Sequence, residues 1–295
     1  MSTCFNLPCR GAIVRSSSRM IMSRGFFALA AAATLLAPVA ASAATAAYWR
    51  FEDGAILTDS AGSNDLSANG TSPGAYVLPE SGAGSAFPDP ILGGANGQAA
   101  DFSGNNGFYA TDAFNFGSAM TVEGFFNADT VGGYLLSQWN STGGNAGASW
   151  GLGLQNGTFR VAIAGASTVA ANVTLEETIV ANKDYYFAMT FDAGVVTVYL
   201  QNLTDDTAMV HGVRDVSSSI TQLVNSPHQL TIAGLTGDNG ASMKAGFDGL
   251  LDEIRLSDTV LSVDQFLVSV PEPSSSALLL GAGCLMFLAG SRRRR

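Results

Sequence analysis

Asn156-Gly157 stands between two runs that alternate large apolar with small or polar residues. Trp150, Leu152 and Leu154 lie before it, and Phe159, Val161 and Ile163 after it. Successive side chains of a strand point to opposite faces, so a period of two gathers the apolar set on one side of a pleated ribbon. Asn and Gly tolerate the positive φ that a type I′ turn demands, and the pattern therefore predicts a tight antiparallel hairpin. Tyr185 to Phe191 and Val195 to Leu200, around Asp192-Ala193-Gly194, predict a second. No internal repeat and no helix-period run longer than the two terminal apolar segments interrupts this pattern, which defines one all-β unit, a sandwich or a barrel.

Other short β-favourable runs surround the hairpins. Strands are expected over Ala46 to Glu52, Ala99 to Phe102, Gly107 to Thr111, Met120 to Phe126, Tyr134 to Trp139, Gln229 to Ala233 and Phe247 to Leu256. The segment from Asp59 to Gly97 reads as loop, because Pro73, Pro79, Pro88 and Pro90 break any long element. Leu261 to Phe266 reads as a short helix or closing strand. Strict alternation through Phe247 to Leu256 places Asp248 and Asp252 with Leu250, Ile254 and Leu256. The same alternation leaves Glu253 and Arg255 on the opposite face as a surface pair of little energetic weight.

Both ends differ from this middle. Arg24, an Ala-rich apolar run to Ala37, and the small residues Ala41 and Ala43 have the form of a secretory signal peptide cut after Ala43. Residues 1–43 are thus expected to act as a cleavable signal helix, with translation starting at Met20 or Met22. Signal peptidase and the general secretion machinery are the partners this implies. At the other end, an apolar run from Ala277 to Gly290 would span about 21 Å as a helix, short of about 30 Å of hydrocarbon. It reads as a short transmembrane helix whose terminal arginines stay cytoplasmic.

Between these ends the charge is strongly negative. Six basic and 23 acidic residues fall between Ala44 and Val270, a net charge of −17. Such a field repels phosphate, which argues against nucleic acid and anionic membranes as partners, and suits divalent cations or neutral sugars. Cys4, Cys9 and Cys284 all lie in the terminal segments, so the middle holds neither thiol chemistry nor a disulfide.

Val270-Pro271-Glu272-Pro273, the small-residue helix and Arg292, Arg293, Arg294 and Arg295 resemble the PEP-CTERM sorting signal of Gram-negative bacteria. That resemblance implies processing near Pro271, Glu272 and Pro273 by a membrane-embedded exosortase. It also implies an exported protein, transiently anchored in the inner membrane and then placed at the cell surface or in the extracellular matrix.

In the middle, the order of five stretches resembles the laminin-G-like branch of the concanavalin A-like lectin/glucanase superfamily. They are Tyr48-Trp49-Arg50-Phe51-Glu52 with Asp59-Ser60-Ala61-Gly62, Ala100 to Gly104, Met120 to Phe125, Tyr185 to Asp192, and Phe247 to Leu256 before Leu261-Ser262. The resemblance implies a jelly-roll sandwich of two antiparallel sheets over residues 44–269, followed by the sorting signal at 270–295. The longer connection from Leu200 to Asp206 departs from the Asp-Gly turn usual in that family.

Three kinds of chemistry bear on this domain. Hydrolysis of glycosides needs two facing carboxylates, and the Glu-x-Asp-x-Glu run of the superfamily's catalytic members is absent, so no catalytic residue is assigned. Calcium is the metal that the oxygen-rich turns suit, with Asp101 and Asp112 as first candidates beside Ser103 and Asn105; Asp205, Asp206, Asp238 and Asn239 also offer oxygens. Sugar contact would draw on aromatic faces and amides, for which Tyr134, Gln138, Trp139 and Asn140 stand beside the Gly-rich stretch Ser141 to Gly147. Trp150 reads equally well as core. The reading is an exported, non-catalytic protein that contacts extracellular polysaccharide. A structural matrix protein without a specific ligand is the first alternative, and a secreted glycoside hydrolase the second.

Overall fold

The computed structural model describes residues 45–52, 54–69, 87–91, 94–102, 108–139, 147–165, 170–237 and 242–268. The expected signal peptide with Ala41 and Ala43, the Pro-Glu-Pro motif, the apolar helix and the arginine tail lie outside them, as does Asn140.

Among the described residues, sixteen strands form two seven-stranded antiparallel sheets and one small hairpin. The first sheet runs β1 (Thr45–Trp49), β16 (Gly249–Ser257), β5 (Ala119–Ala128), β10 (Asp184–Asp192), β11 (Val195–Asn202) and β12 (Val210–Asp215), with β3 (Ala100–Asp101) also on β16. The second runs β2 (Ser67–Asn69), β4 (Phe108–Thr111), β13 (Leu230–Ile232), β6 (Gly133–Gln138), β7 (Trp150–Gln155), β8 (Thr158–Ala164) and β9 (Ala170–Thr178). The separate hairpin joins β14 (Leu235–Gly237) to β15 (Ser242–Lys244).

Both predicted hairpins form. Asn156 and Gly157 have φ of 52° and 80°, and Ala193 and Gly194 have 45° and 102°, the positive pairs required of type I′ turns. The apolar faces of the two sheets meet in one core. Phe126 stands at its middle, its ring 5.1 Å from Tyr185, 6.1 Å from Phe187, and 6.4 Å from both Phe159 and Phe247. Trp150 is fully buried in the same core.

β9 was not expected. Its Ala171, Val173 and Leu175 point inward and Asn172, Thr174 and Glu176 outward, a period of two diluted by alanine. Within Leu261 to Phe266 the short-helix alternative holds and no closing strand forms. Val263–Gln265 is one 3₁₀ turn, begun by a Ser262/Gln265 capping box.

A second apolar layer covers the outer face of the first sheet. Tyr48, Phe125, Tyr186 and Ala188 project away from the main core and pack beneath Phe87, Leu261, Phe266, Leu267 and Val268. The chain after β16 therefore lies as a strap across that sheet. Backbone and side-chain bonds fasten it: Leu261 N–H donates to Thr121 Oγ1 at 2.9 Å, Leu267 N–H to Glu123 Oε2 at 2.7 Å, and Ile91 N–H to the Leu267 carbonyl at 2.9 Å.

Asp59 organises the loop after β1. Its carboxylate accepts N–H groups from Tyr48, Ala61 and Asn64 at 2.9 to 3.0 Å, and the Asn64 side-chain amide at 3.0 Å. Partial burial works against this charge, yet those N–H donors outweigh it and hold the carboxyl below the ordinary Asp range. A depressed folded pKa contributes stability that is complete above the unfolded value of about 3.9 and disappears as pH falls through the folded value. Asp59→Asn is accordingly expected to lower the urea midpoint at neutral pH and to flatten its fall below about pH 4. Identical acid limbs for variant and parent would remove Asp59 from this account.

Candidate functional site

Glycine fixes the shape of the second sheet's outer face. A Cβ on Gly153 would lie 2.3 Å from the Gly133 carbonyl oxygen, and one on Gly151 would lie 2.9 Å from Cε1 of Tyr134. Bare backbone on β7 thus lets β6 approach closely and the Tyr134 ring lie over Gly151. The result is a groove of about 230 Å³, with Tyr134, Gln155, Arg160, Ala162 and Ala245 among its lining residues. Tyr134 N–H donates to the Ala245 carbonyl at 2.9 Å, which holds the chain after β15 against the groove.

Arg160 is the charged member. Its Nε donates to Asn172 Oδ1 at 3.2 Å, Nη2 donates to the same oxygen, and Nη1 donates to Gln155 Oε1. These partners come from β7 and β9, the strands on either side of β8. Arg214 on β12 donates to the Asn172 backbone carbonyl, joining the edges of the two sheets beside the groove.

The expected sugar-contact residues separate. Tyr134 lines the groove. Gln138 points inward: it is fully buried, its Oε1 accepts the Phe114 N–H at 3.1 Å, and its Nε2 has no acceptor among the described residues. It sits directly opposite Trp150, whose Nε1 also lacks one. Gln138 therefore holds the loop after β4 instead of edging a binding surface. Trp139 is partly buried one residue beyond β6 and is not among the groove's lining residues. The sequence pattern singles out neither Arg160, which the hairpin places only on its polar face, nor Asn172, which lies on the unexpected β9.

For the calcium candidates, Asp101 lies on β3 of the first sheet, whereas exposed Asp112 follows β4 of the second. Among the described residues no group of three or more His, Cys, Asp or Glu is placed to hold a metal ion. Asp205 is engaged as a turn former, accepting from Asn202 Nδ2 at 2.9 Å and pairing with Lys183. His211 lies on β12 with its ring 5.9 Å from that of Tyr199.

The acidic residues of β16 require correction. Register shifts between Asp252 and Arg255, and Glu253 takes a φ of 51°, so a bulge breaks the assumed alternation. Ile254 and Leu256 enter the main core, whereas Asp252 is buried, accepting from Asn96 Nδ2 at 2.7 Å and from Glu253 N–H at 2.8 Å. Glu253 and Arg255 are not a surface pair. Glu253 is fully buried, accepting from the Tyr48 hydroxyl and from Arg50 Nε at 3.1 Å. Arg255 donates to Glu123 Oε1 through Nε at 2.7 Å and through Nη2, and Tyr186 donates its hydroxyl to Glu123 Oε2 at 2.7 Å. Burial pushes both glutamates above the ordinary carboxylate range against the opposing pull of Arg255 and Arg50. Both sit on the first sheet, beneath or beside the strap, and neither lines the groove.

Two stacked antiparallel sheets with these connections define a jelly-roll sandwich. Residues 102–266 match the family described as the concanavalin A-like lectin/glucanases superfamily, and the chain belongs to it. Residues 269–295 match the PEP-CTERM protein-sorting motif, which implies exosortase-mediated sorting and export. No curated protein matches the sequence. Similar solved structures include domain 4 of an extracellular arabinanase from Geobacillus stearothermophilus in complex with arabinotriose, at 16% identity and a TM-score of 0.49, covering 76% of this chain and 96% of that one. They also include the botulinum neurotoxin serotype D ligand binding domain in complex with N-acetylneuraminic acid (10%, TM-score 0.48, 75% and 49%). The binding domain of a Paraclostridial mosquitocidal protein is a third (12%, TM-score 0.48, 73% and 49%). The chain spans about half of each toxin domain.

Proposed function

We propose that this is an exported, non-catalytic carbohydrate-binding protein of the cell envelope or exopolysaccharide matrix. In this reading residues 1–43 direct export and are removed after Ala43, residues 44–269 form the binding domain, and residues 270–295 are the substrate of an exosortase. Pro271 to Pro273 serve as the recognition element and Arg292 to Arg295 hold the tail at the cytoplasmic face.

The observation that carries the reading is the groove on the second sheet. An aromatic ring lying over a glycine floor offers an apolar platform to a sugar ring, while Gln155 and the Arg160 guanidinium that Asn172 holds supply polar atoms at its side. A binding role fits better than hydrolysis, because the described lining carries no carboxylate and the two glutamates nearest to a catalytic pair are engaged by Arg255, Tyr186, Arg50 and Tyr48.

A polysaccharide array probed with the full chain, purified in detergent, tests this. Retention by at least one glycan is expected, and Tyr134→Ala should weaken it about tenfold, since one stacked aromatic contributes on the order of 1 kcal/mol or more. Retention by none, with the fold intact, would leave the structural matrix protein as the better description.

A further inference from the structure

We infer that the groove selects acidic sugars, with the carboxylate or sulfate ester of a glycan seated on Arg160. This rests on the carbohydrate-binding reading above and narrows its ligand class. The first observation is how the domain distributes its six cations. Arg50 is paired with Glu52 and Glu253, Arg255 with Glu123, and Lys183 with Asp205. Arg160, Arg214 and Lys244 have no carboxylate partner among the described residues, and all three lie at or beside the groove. Arg160 lines it, Arg214 reaches Asn172, and exposed Lys244 precedes the lining residue Ala245. Acids outnumber bases nearly four to one between Ala44 and Val270, yet among the described residues these three cations make no ion pair.

The second observation is how Arg160 is held. Asn172 and Gln155 are neutral amides, so they orient the guanidinium without neutralising it. Three of its five N–H groups are used, one on Nε and one on each Nη. One N–H on each Nη has no acceptor among the described residues and is left to donate to a carboxylate or sulfate. Glu176 faces outward on the same edge strand as Asn172, yet makes no ion pair with Arg160.

The net charge of −17 opposes a polyanion at long range, but at physiological salt the screening length is about 8 Å. Distant carboxylates are therefore muted while contacts inside the groove persist. The sign of the local charge decides selectivity.

The test uses two matched polymer pairs and the full chain in detergent at about 0.15 M salt. Polygalacturonate is set against its methyl ester, and dextran sulfate against dextran. At least one acidic polymer is expected to bind about tenfold more tightly than its neutral counterpart, and which pair shows the preference identifies the anion. Arg160→Gln should erase that preference, lowering binding of the acidic polymer to the level of its neutral counterpart. Lys244→Glu, at an exposed position where folding is not at stake, should reduce it severalfold. Equal binding within both pairs, unaffected by Arg160→Gln but lost in Tyr134→Ala, overturns this inference and leaves the carbohydrate-binding reading standing. No binding to any of the four, or to the array, overturns both.

Discussion

Glu123→Ala is expected to lower the free energy of unfolding by about 3 to 5 kcal/mol, the usual cost of leaving one member of a buried ion pair alone. The carboxylate is fully buried and accepts from Arg255, Tyr186 and the Leu267 N–H. Its removal leaves the guanidinium, a phenol and a backbone amide without their acceptor in one step. Because Leu267 belongs to the strap, damage should appear first there, as faster proteolysis between residues 258 and 268. Pairing Glu123→Gln with Arg255→Met should recover most of the loss. Gln still offers an oxygen to Tyr186 and Leu267, and Met removes the stranded charge without emptying its volume. A single Glu123→Ala variant that costs under about 1 kcal/mol would show that water reaches this cluster.

Phe126→Ala is expected to cost about 3 to 5 kcal/mol through lost burial and the cavity left behind. Its ring meets Tyr185 and Phe187 on β10, Phe159 on β8, and Phe247 just before β16, so it binds one sheet to the other. Four rigid rings around the void cannot rotate into it as aliphatic chains would, which places the cost toward the upper end. Domains of this size have a total stability of about 5 to 15 kcal/mol, so the variant would stand near the unfolding threshold. Urea unfolding followed by tryptophan fluorescence measures the change. A loss below about 1.5 kcal/mol would mean that the two sheets close over the gap.

The hairpins were readable because local chemistry alone decides them. Asn156-Gly157 and Ala193-Gly194 set the turn, and alternation sets which side is buried. β9 has the same alternation, but Ala170, Ala171 and Asn172 supply too little bulk at its start to stand out from a loop. The β16 charges misled for a different reason. Period two presumes one buried face, whereas Phe266, Leu267 and Val268 bury the other face as well, and a bulge at Glu253 displaces the count by one. Neither a covering segment arriving from later in the chain nor a single left-handed residue leaves a mark on hydrophobic patterning.

Of the candidate site, Tyr134 was identifiable as an aromatic next to glycines. Gln138 and Trp139, its neighbours in sequence, take different directions because β6 ends between them. Arg160 looked like an ordinary polar residue of a hairpin. Its meaning comes from Asn172, twelve positions away on a strand that was not foreseen, and from the engagement of Arg50, Lys183 and Arg255 elsewhere.

The strap has a mechanical implication for the tail. Leu267 is fastened through both its amide and its carbonyl, and only Ser269 and Val270 separate Val268 from Pro271. Fully extended chain covers at most about 3.6 Å per residue, so Pro271 stays within about 11 Å of the folded body. An exosortase acting at Pro271, as proposed above, would have to work almost in contact with the globule.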